Sequence, residues 1–252
     1  MATIDNSPQN RLDRTPALKK TDIAAAWQGL ANCNGCGVRD LALFADLTKE
    51  DFSLIHLPID VLLFPAGAPI YHVGDEPTAV YTIRSGLVKL VQYLPGGSQR
   101  IVRLLRRGDT AGLEVVLRQP YTHTAIAVHP VLTCRIPQAV IQRLSDETPR
   151  LHQQLMQRWQ KAVERADTFL LELSTGSARS RVARLFLTLV GGGPNDECDF
   201  FAREDVGAML GITTETASRI VAEFKRQGLI AELHPNHFRC NVTGLENLAG
   251  EP

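Results

Sequence analysis

The sequence has no excess of either charge, no long apolar run and no sign of a leader segment. Its 252 residues contain 27 Lys plus Arg against 27 Asp plus Glu. The overall charge therefore gives no sign of a nucleic-acid partner, although a basic patch on one domain would be enough to bind one. No apolar run approaches the roughly 18 residues of a membrane span, and no basic segment followed by an apolar one marks a signal peptide. We expect a cytoplasmic protein that does not contact a membrane.

Two further absences narrow the class of protein. The five cysteines are odd in number and irregularly spaced, which is not the pattern of a disulfide framework. No Ser, Cys or Asp nucleophile stands in a motif with a partner base, so we do not expect an enzyme. The length is enough for one large hydrophobic core or two modest ones.

The most informative stretch lies near the C-terminus and predicts two helices joined by a tight turn. Residues Arg203 to Leu210 have helical spacing, Gly211 permits a turn, and Thr213 can cap a second helix. That second helix carries an inward-facing stripe at positions i, i+3, i+4 and i+7. The stripe consists of Ala217, Ile220, Val221 and Phe224.

Polar groups cluster at the leading end of the same helix, on its other faces. These groups are Thr214, Glu215, Ser218 and Arg219. An arginine can donate two hydrogen bonds to guanine, a glutamate can accept from cytosine, and hydroxyls serve several bases. The pattern predicts a helix-turn-helix that reads double-stranded DNA, and the alternative is a helix pair with a solvated outer face. Leu229–Ile230, the turn at 234–236 and Phe238 to Val242 add a hairpin, so we expect a winged unit.

The middle of the chain has the sequence pattern of an antiparallel β-sheet protein. Short β-rich runs separated by glycine turns predict a barrel or sandwich. The runs are Val61–Phe64, Val80–Ile83, Leu87–Tyr93, Arg100–Leu105, Ala125–His129 and Val131–Ile136.

A long helix is predicted from Pro149 to residue 173, with Pro149 at its first position. Apolar residues follow steps of four and three along it, which predicts a heptad seam and a parallel homodimer. The seam consists of Leu155, Trp159, Ala162, Ala166, Phe169 and Leu173. A separate shoulder of Leu151, Val163 and Leu170 would pack on the chain's own barrel. Residues 174–177 would form a hinge, followed by a helix from Arg179 to Val190 and a loop at 191–194.

Residues 204–230 closely resemble the C-terminal domain of the CRP/FNR transcription regulators. Glu215, Ser218 and Arg219 match the Glu-x-x-Ser-Arg of the FNR-like branch, whereas Thr214 replaces the leading Arg of members related to the cyclic-AMP receptor. The resemblance extends over roughly residues 33–240. It implies an α+β fold with an N-terminal antiparallel β-roll (a double-stranded β-helix of the cyclic-nucleotide-binding type), a long dimerisation helix and a C-terminal winged helix-turn-helix. It also implies a palindromic TTGAT-like DNA site and RNA polymerase as a partner.

The resemblance bears on which signal the roll detects. Cyclic-nucleotide sensors of this type hold the ribose with a Gly-Glu pair and the phosphate with an Arg followed by Ser or Thr. Gly112 and Glu114 are present, but residues 121–124 contain no Arg, and Arg118 is three positions away. Cyclic AMP is therefore not expected.

FNR-type oxygen sensors hold a [4Fe–4S] cluster with three N-terminal cysteines and one in the roll. Cys33, Cys36 and Cys134 match three of those ligands, whereas Ala42 occupies the remaining position. This resemblance implies a redox, oxygen or nitric-oxide-like signal. A redox switch or zinc half-site at Cys33/Cys36 and a buried apolar role for Cys134 remain open, as does haem bound by one of four histidines. The four are His56, His72, His123 and His129, and we expect Cys198 and Cys240 to be structural.

The expected organisation has four parts. Residues 1–22 form a disordered arm, 23–146 the sensor roll with its N-terminal cysteine segment, 147–175 the dimerisation helix, and 176–252 the DNA-binding domain. The rival functions are a nucleotide-binding module without DNA binding and a redox protein without DNA binding.

Overall fold

The structure, a computed structural model, describes residues 59–190 and 194–250. Its N-terminal part is built from short strands that form two four-stranded antiparallel sheets, ordered β1-β8-β3-β6 and β2-β7-β4-β5. The strands are β1 (Asp60–Phe64), β2 (Pro69–Tyr71), β3 (Ala79–Ser85), β4 (Val88–Tyr93), β5 (Gln99–Leu105), β6 (Thr110–Ala111), β7 (Thr124–Ala127) and β8 (Val131–Pro137). This is the predicted roll. β2 and β6 were not predicted, because strands of three and two residues show no alternation.

Three helices connect the roll to the C-terminal domain. They are α1 (Gln138–Glu147), α2 (Pro149–Ser174) and α3 (Ala178–Val190). Pro149 occupies the first turn of α2, where its missing N–H costs no helical hydrogen bond. The prediction of a long helix followed by a break is confirmed, since α2 ends at Ser174 and Gly176 has a positive φ of 78°.

The C-terminal part is a winged helix-turn-helix. Its elements are β9 (Glu197–Asp199), α4 (Arg203–Leu210), α5 (Thr214–Arg226), β10 (Ile230–His234), β11 (His237–Cys240) and α6 (Val242–Ala249). The hairpin turns through Pro235 and Asn236, and Asn236 has the positive φ of 58° that such a turn requires. The predicted strand to Val242 is too long, because Asn241 caps α6 by accepting a hydrogen bond from the Gly244 N–H.

Two apolar cores lie in the described residues, and they meet where the roll and the winged domain pack together. The first fills the roll and includes Leu151 and Leu155 of α2. The second fills the winged domain, and it includes Leu173 of α2 together with Val91 and Ile101 from the β4–β5 hairpin. Among the described residues, no helix has the length and apolarity that crossing a bilayer requires.

The structure corrects the predicted division of α2 into a partner-facing seam and a chain-facing shoulder. Leu155 and Leu173, assigned to the seam, are each 2% exposed and belong to the chain's own cores. Trp159, Ala162, Ala166 and Phe169 are half-buried on the same side. Val163 and Leu170, assigned to the barrel, are 48% and 60% exposed. The cause is that both sets follow helical spacing, which defines a face but not what that face contacts.

Candidate nucleic-acid interface and sensor site

Helix α5 is held in the domain by its apolar face, as its sequence predicts. Ala217, Ile220, Val221 and Phe224 are all buried in the winged-domain core. The Thr213 side chain caps the helix by accepting a hydrogen bond from the Thr216 N–H at 3.2 Å.

The polar residues predicted to read bases all lie on the solvent side of this anchored helix. Thr214, Glu215, Ser218 and Arg219 are exposed. Hydrogen bonds from its own backbone N–H and from Thr213 lower the pKa of Glu215, so its carboxylate stays ionised as an acceptor. Arg226, seven residues after Arg219, continues the exposed row to the C-terminal end of α5.

Lys225 has partners within the domain. Its ammonium is paired with Glu232 of β10 and lies 5.6 Å from the centre of the Phe238 ring. This side chain therefore joins the end of α5 to the wing.

The turn between α4 and α5 depends on a close approach that the sequence pattern did not reveal. A Cβ at Gly207 would lie 2.7 Å from the Ile212 carbonyl oxygen, so a side chain there would force the helices apart. Gly211 supplies the predicted left-handed residue with a φ of 67°.

The same region contacts the roll. Lys89 Nζ of β4 lies 2.5 Å from Asp205 Oδ1 of α4, and both side chains are largely buried. Arg106 donates to the Thr188 carbonyl at 2.8 Å, which joins the roll to α3.

In the roll, Glu114 sits in a polar chain that ends at a histidine. Thr122 Oγ1 donates to Glu114 Oε1 at 2.5 Å, and His123 Nδ1 lies 2.8 Å from Thr122 Oγ1. Burial opposes ionisation of Glu114, but hydrogen bonds from His123 and Thr122 outweigh it and lower its pKa to about 2. Glu114 is therefore satisfied within the chain.

Three buried tyrosines fill the interior beside Gly112. The rings of Tyr71 and Tyr121 stack at 3.9 Å, and Tyr81 lies 5.8 Å from Tyr71. Tyr121 donates to the Ala79 carbonyl at 2.6 Å, which fixes its ring. A Cβ at Gly112 would lie 2.9 Å from that ring. No sequence pattern indicated this cluster, because its members come from separate strands and loops.

A cavity of about 110 Å³ lies between the β5–β6 turn and α2, and most of its charged lining is basic. Its basic residues are Arg103, Arg107, Arg158, Lys161 and Arg165. The acidic residue in the lining is Asp109, which pairs with Arg165 and accepts a hydrogen bond from the Arg106 N–H at 2.8 Å. Burial lowers the pKa of Arg165.

The structure describes one of the three cysteines proposed to hold a cluster. Cys134 is half-buried in β8, opposite Val61 of β1 and Thr82 of β3. The buried hydroxyl of Thr82, the strand partner of Cys134, has no hydrogen-bond partner among the described residues. Cys33, Cys36 and Ala42 lie outside the described residues, as do the predicted arm at 1–22 and the loop at 191–193.

The three described candidates for a haem ligand do not converge on a common site. His72 is exposed, His123 belongs to the Glu114 chain, and His129 is half-buried. His56 lies outside the described residues. Within residues 59–190 and 194–250, no group of three or more His, Cys, Asp or Glu could hold a metal ion.

Between its two buried ends, α2 leaves an apolar row in solvent. Met156, Val163 and Leu170 recur every seven residues and are 57%, 48% and 60% exposed. A heptad repeat on an exposed face is typical of a helix that packs against a second helix.

Two family models match the chain. Residues 61–148 match the cyclic nucleotide-binding domain, and residues 180–248 match the Crp-like helix-turn-helix domain. The first range covers the roll and α1, and the second covers most of α3 and the winged unit through most of α6.

Curated relatives match over most of their length. The fumarate and nitrate reduction regulatory protein of Vibrio cholerae is 25% identical over 246 residues, covering 95% of this chain and 97% of the relative. The anaerobic regulatory protein of Aggregatibacter actinomycetemcomitans is 26% identical, covering 79% of this chain and 80% of that protein.

Solved structures share the fold. FixK2 from Bradyrhizobium japonicum superposes with a TM-score of 0.69 at 22% identity, covering 78% of this chain and all of that one. A CRP-family transcriptional regulator from Thermus thermophilus has a TM-score of 0.67 at 23% identity, covering 75% of this chain and 96% of that one.

Proposed function

Because the chain is a transcription regulator of the CRP/FNR type, with a DNA-binding helix-turn-helix, we propose that it binds a TTGAT-like inverted repeat as a homodimer. The observation that carries this proposal is the leading end of α5. Three exposed side chains, Glu215, Ser218 and Arg219, project from a helix whose opposite face is buried. Two-fold symmetry requires half-site centres about 10 base pairs apart. Such a protein acts on DNA in the cytoplasm and engages RNA polymerase there.

Each reading residue receives a role from its hydrogen-bonding groups. Arg219 donates to the guanine of the half-site, Glu215 accepts from the cytosine paired with that guanine or next to it, and Ser218 contacts a thymine. Thr214 lies at the start of the same row. Arg226, at the far end, contacts phosphate and contributes affinity without sequence preference.

A fluorescence-anisotropy titration tests the proposal. The wild-type protein is titrated with a TTGAT inverted repeat and with a duplex of the same composition in which both half-sites are scrambled. We expect at least about a 1,000-fold preference for the repeat, the lower end of specific recognition. Equal affinity for both duplexes would contradict the proposal.

We propose that the homodimer forms through the exposed row Met156, Val163 and Leu170 of α2. The half-buried Trp159, Ala162 and Ala166 would lie at the edge of this contact. The apolar row supports a helix pair because burying it removes three large side chains from water.

We further propose that the signal is a redox, oxygen or nitric-oxide-like change sensed at Cys33, Cys36 and Cys134. Soft thiolates suit an iron–sulfur cluster, which would supply a redox- or gas-reactive centre. Cys134 and the unpaired donor of Thr82 are compatible with one corner of such a site. The fourth ligand cannot be Ala42, so water, Asp40, Asp46 or a histidine would complete the set.

Purification without oxygen tests the cluster proposal. The wild type should contain iron and sulfide and absorb broadly in the visible, and Cys33→Ser, Cys36→Ser and Cys134→Ser should each abolish these signals. Cys240→Ser is the matched control and should leave them unchanged. Metal-free wild type, with DNA affinity unchanged in the three variants, would contradict the proposal.

Cyclic AMP is a poor candidate for the signal. The Tyr121 ring packs against Gly112, and Glu114 is already bonded within the chain, so both groups that would hold the ribose are engaged. For haem, the described candidates His72, His123 and His129 form no common site.

The basic cavity beside α2 favours a second candidate signal, a small phosphorylated or carboxylated anion. Such an anion would offset the mutual repulsion of the lining cations. Calorimetry with inorganic pyrophosphate tests this candidate. We expect Lys161→Ala to weaken pyrophosphate binding at least about tenfold, a loss on the order of a charged hydrogen bond. The exposed Arg143→Ala is the control and should leave binding unchanged. The absence of any heat of binding to the wild type would exclude this candidate.

Either signal would act through the contacts that join the two domains. The roll contacts the winged domain through Lys89–Asp205 and through α2. A change at the roll would bias the packing of α2, and hence the spacing of two α5 helices, as a shift between two states.

A further inference from the structure

Cys198 and Cys240 are close neighbours in the wing sheet. Their Sγ atoms are 3.8 Å apart, and each residue is 5% exposed. In the β9–β11 ladder Cys198 lies opposite Phe238, so Cys240, two residues further on, projects from the same face on the diagonal. The strand register thus brings together two thiols that are 42 residues apart in the chain.

A single buried cysteine commonly serves as a small apolar side chain in a core, and either residue alone could have that role. Mutual contact is not needed for that role, because any small residue would fill either position. A disulfide bond is about 2.05 Å long, so the two sulfur atoms must approach by somewhat less than 2 Å. Cys198 lies in β9, an edge strand of the wing sheet that is paired on one side only among the described strands, so a small backbone adjustment there disturbs one ladder.

The two thiols are chemically unequal. The contact with the Cys198 sulfur lowers the pKa of the Cys240 thiol. That contact together with burial raises the pKa of the Cys198 thiol. Cys240 therefore has the greater thiolate character, which suits an attacking sulfur, and Cys198 is placed to react second.

We propose that Cys198 and Cys240 form a reactive dithiol that closes to an intramolecular disulfide on exposure to a peroxide. The Cys240 thiolate attacks one peroxide oxygen, the O–O bond breaks, and a sulfenic acid forms; the departing hydroxide takes up the proton that the thiol released and leaves as water. Cys198 then attacks that sulfur, the S–S bond forms, the S–O bond breaks, and a second water leaves. Two thiols are oxidised and one hydrogen peroxide is reduced to two waters.

The bond would enclose the DNA-reading unit. Residues 198 to 240 contain α4, α5 and β10, so the disulfide ties the start of the helix-turn-helix to the end of the wing. A cross-link that closes such a loop restricts the unfolded chain, and the oxidised domain should melt at a higher temperature. This site is independent of the cluster proposed at Cys33, Cys36 and Cys134.

The test uses full-length protein with Cys33→Ser, Cys36→Ser and Cys134→Ser combined, which leaves only this pair. After reduction, the protein is treated with stoichiometric hydrogen peroxide, alkylated under denaturing conditions and analysed by mass spectrometry. We expect loss of two thiols, a decrease of two hydrogen masses, a cross-linked peptide pair containing residues 198 and 240, and reversal by dithiothreitol. The melting temperature should rise on oxidation.

Single variants check the assigned roles. With Cys198→Ser, the Cys240 sulfenic acid should persist and be trapped by a dimedone-type reagent, whereas Cys240→Ser should give little trapping. Peptide mapping of peroxide-treated wild type gives the same answer if the combined variant does not fold. Two unreacted thiols, or disulfides only between chains, would overturn the proposal.

Discussion

Helices α2 and α5 both carry an apolar stripe, but the two stripes meet different surroundings. All of the α5 stripe, Ala217 to Phe224, is buried within one domain. Helix α2 has 26 residues and is about 39 Å long. Its first turns pack in the roll and its last turn in the winged domain, while Val163 between them is exposed. A short helix inside one domain has one set of neighbours, whereas a long connecting helix has several.

Stability should show the largest difference between the two stripes. Phe224→Ala should lower the free energy of unfolding by about 3–5 kcal/mol, because it leaves a cavity in a closed core. Leu170→Ala, made in a Val163→Glu background so that dimerisation does not contribute, should change it by less than about 0.5 kcal/mol. Urea denaturation followed by circular dichroism measures both. Similar losses of unfolding free energy in Phe224→Ala and Leu170→Ala would contradict the difference proposed between the two stripes.

The second largest effect should come from placing a charge in the exposed row of α2. Val163→Glu would bring like charges together across the two-fold axis and should give a monomer in sedimentation experiments. Loss of the second half-site contact should lower affinity for the inverted repeat by a factor on the order of 100. Gln157→Glu, on a neighbouring polar face, is the control. A monomeric variant with normal operator affinity would show that dimerisation is unnecessary.

The cap of α5 should contribute a smaller amount. Thr213→Ala removes the oxygen that accepts the Thr216 N–H and should lower the free energy of unfolding by about 1 kcal/mol. Thr213→Ser keeps the oxygen and should lose much less. Equal losses in denaturant titrations of both variants would mean that the side-chain hydrogen bond adds nothing.

The smallest effect concerns pH and the wing beside α5. Hydrogen bonds with Asp199 and Glu197 raise the pKa of His237 from its usual 6.5. A raised folded-state pKa gives stability that is complete below pH 6.5 and is lost as the pH rises through the folded value. The wild type should therefore lose slightly more thermal stability between pH 6 and pH 8 than His237→Asn does. An identical pH dependence would exclude a contribution from His237.

The sequence predicted α5 well because its surroundings are local. Its cap, its inward stripe and its exposed polar row all follow from the 3.6-residue period of a single helix. The predicted orientation of α2 was wrong at Leu155 and Val163. Which of the two is buried depends on residues from distant parts of the chain that pack against Leu155 and not against Val163. The start of helix α6 could have been predicted from Asn241, a capping residue that precedes apolar positions. It was missed because the predicted hairpin extended to Val242.

The contacts that were missed join residues far apart in the chain. The stacking of Tyr71 on Tyr121 and the contact of Cys198 with Cys240 join residues 50 and 42 positions apart. Neither contact leaves a periodic trace in the sequence, since any apolar residue would satisfy the alternation of a strand. The sequence likewise did not distinguish Gly207 from an ordinary helical residue, because the reason for a glycine there is its close approach to the Ile212 carbonyl.

Selection from a random duplex library tests most directly that α5 reads DNA. The wild type should recover an inverted repeat with half-site centres about 10 base pairs apart and a G·C pair in each half. Arg219→Ala should relax the preference at that pair, at a cost of about 1–3 kcal/mol per half-site. Arg226→Ala should weaken all sequences alike and reduce the salt dependence. A recovered motif without two-fold symmetry, or a G·C preference unchanged in Arg219→Ala, would contradict the assignment of α5 as the recognition helix.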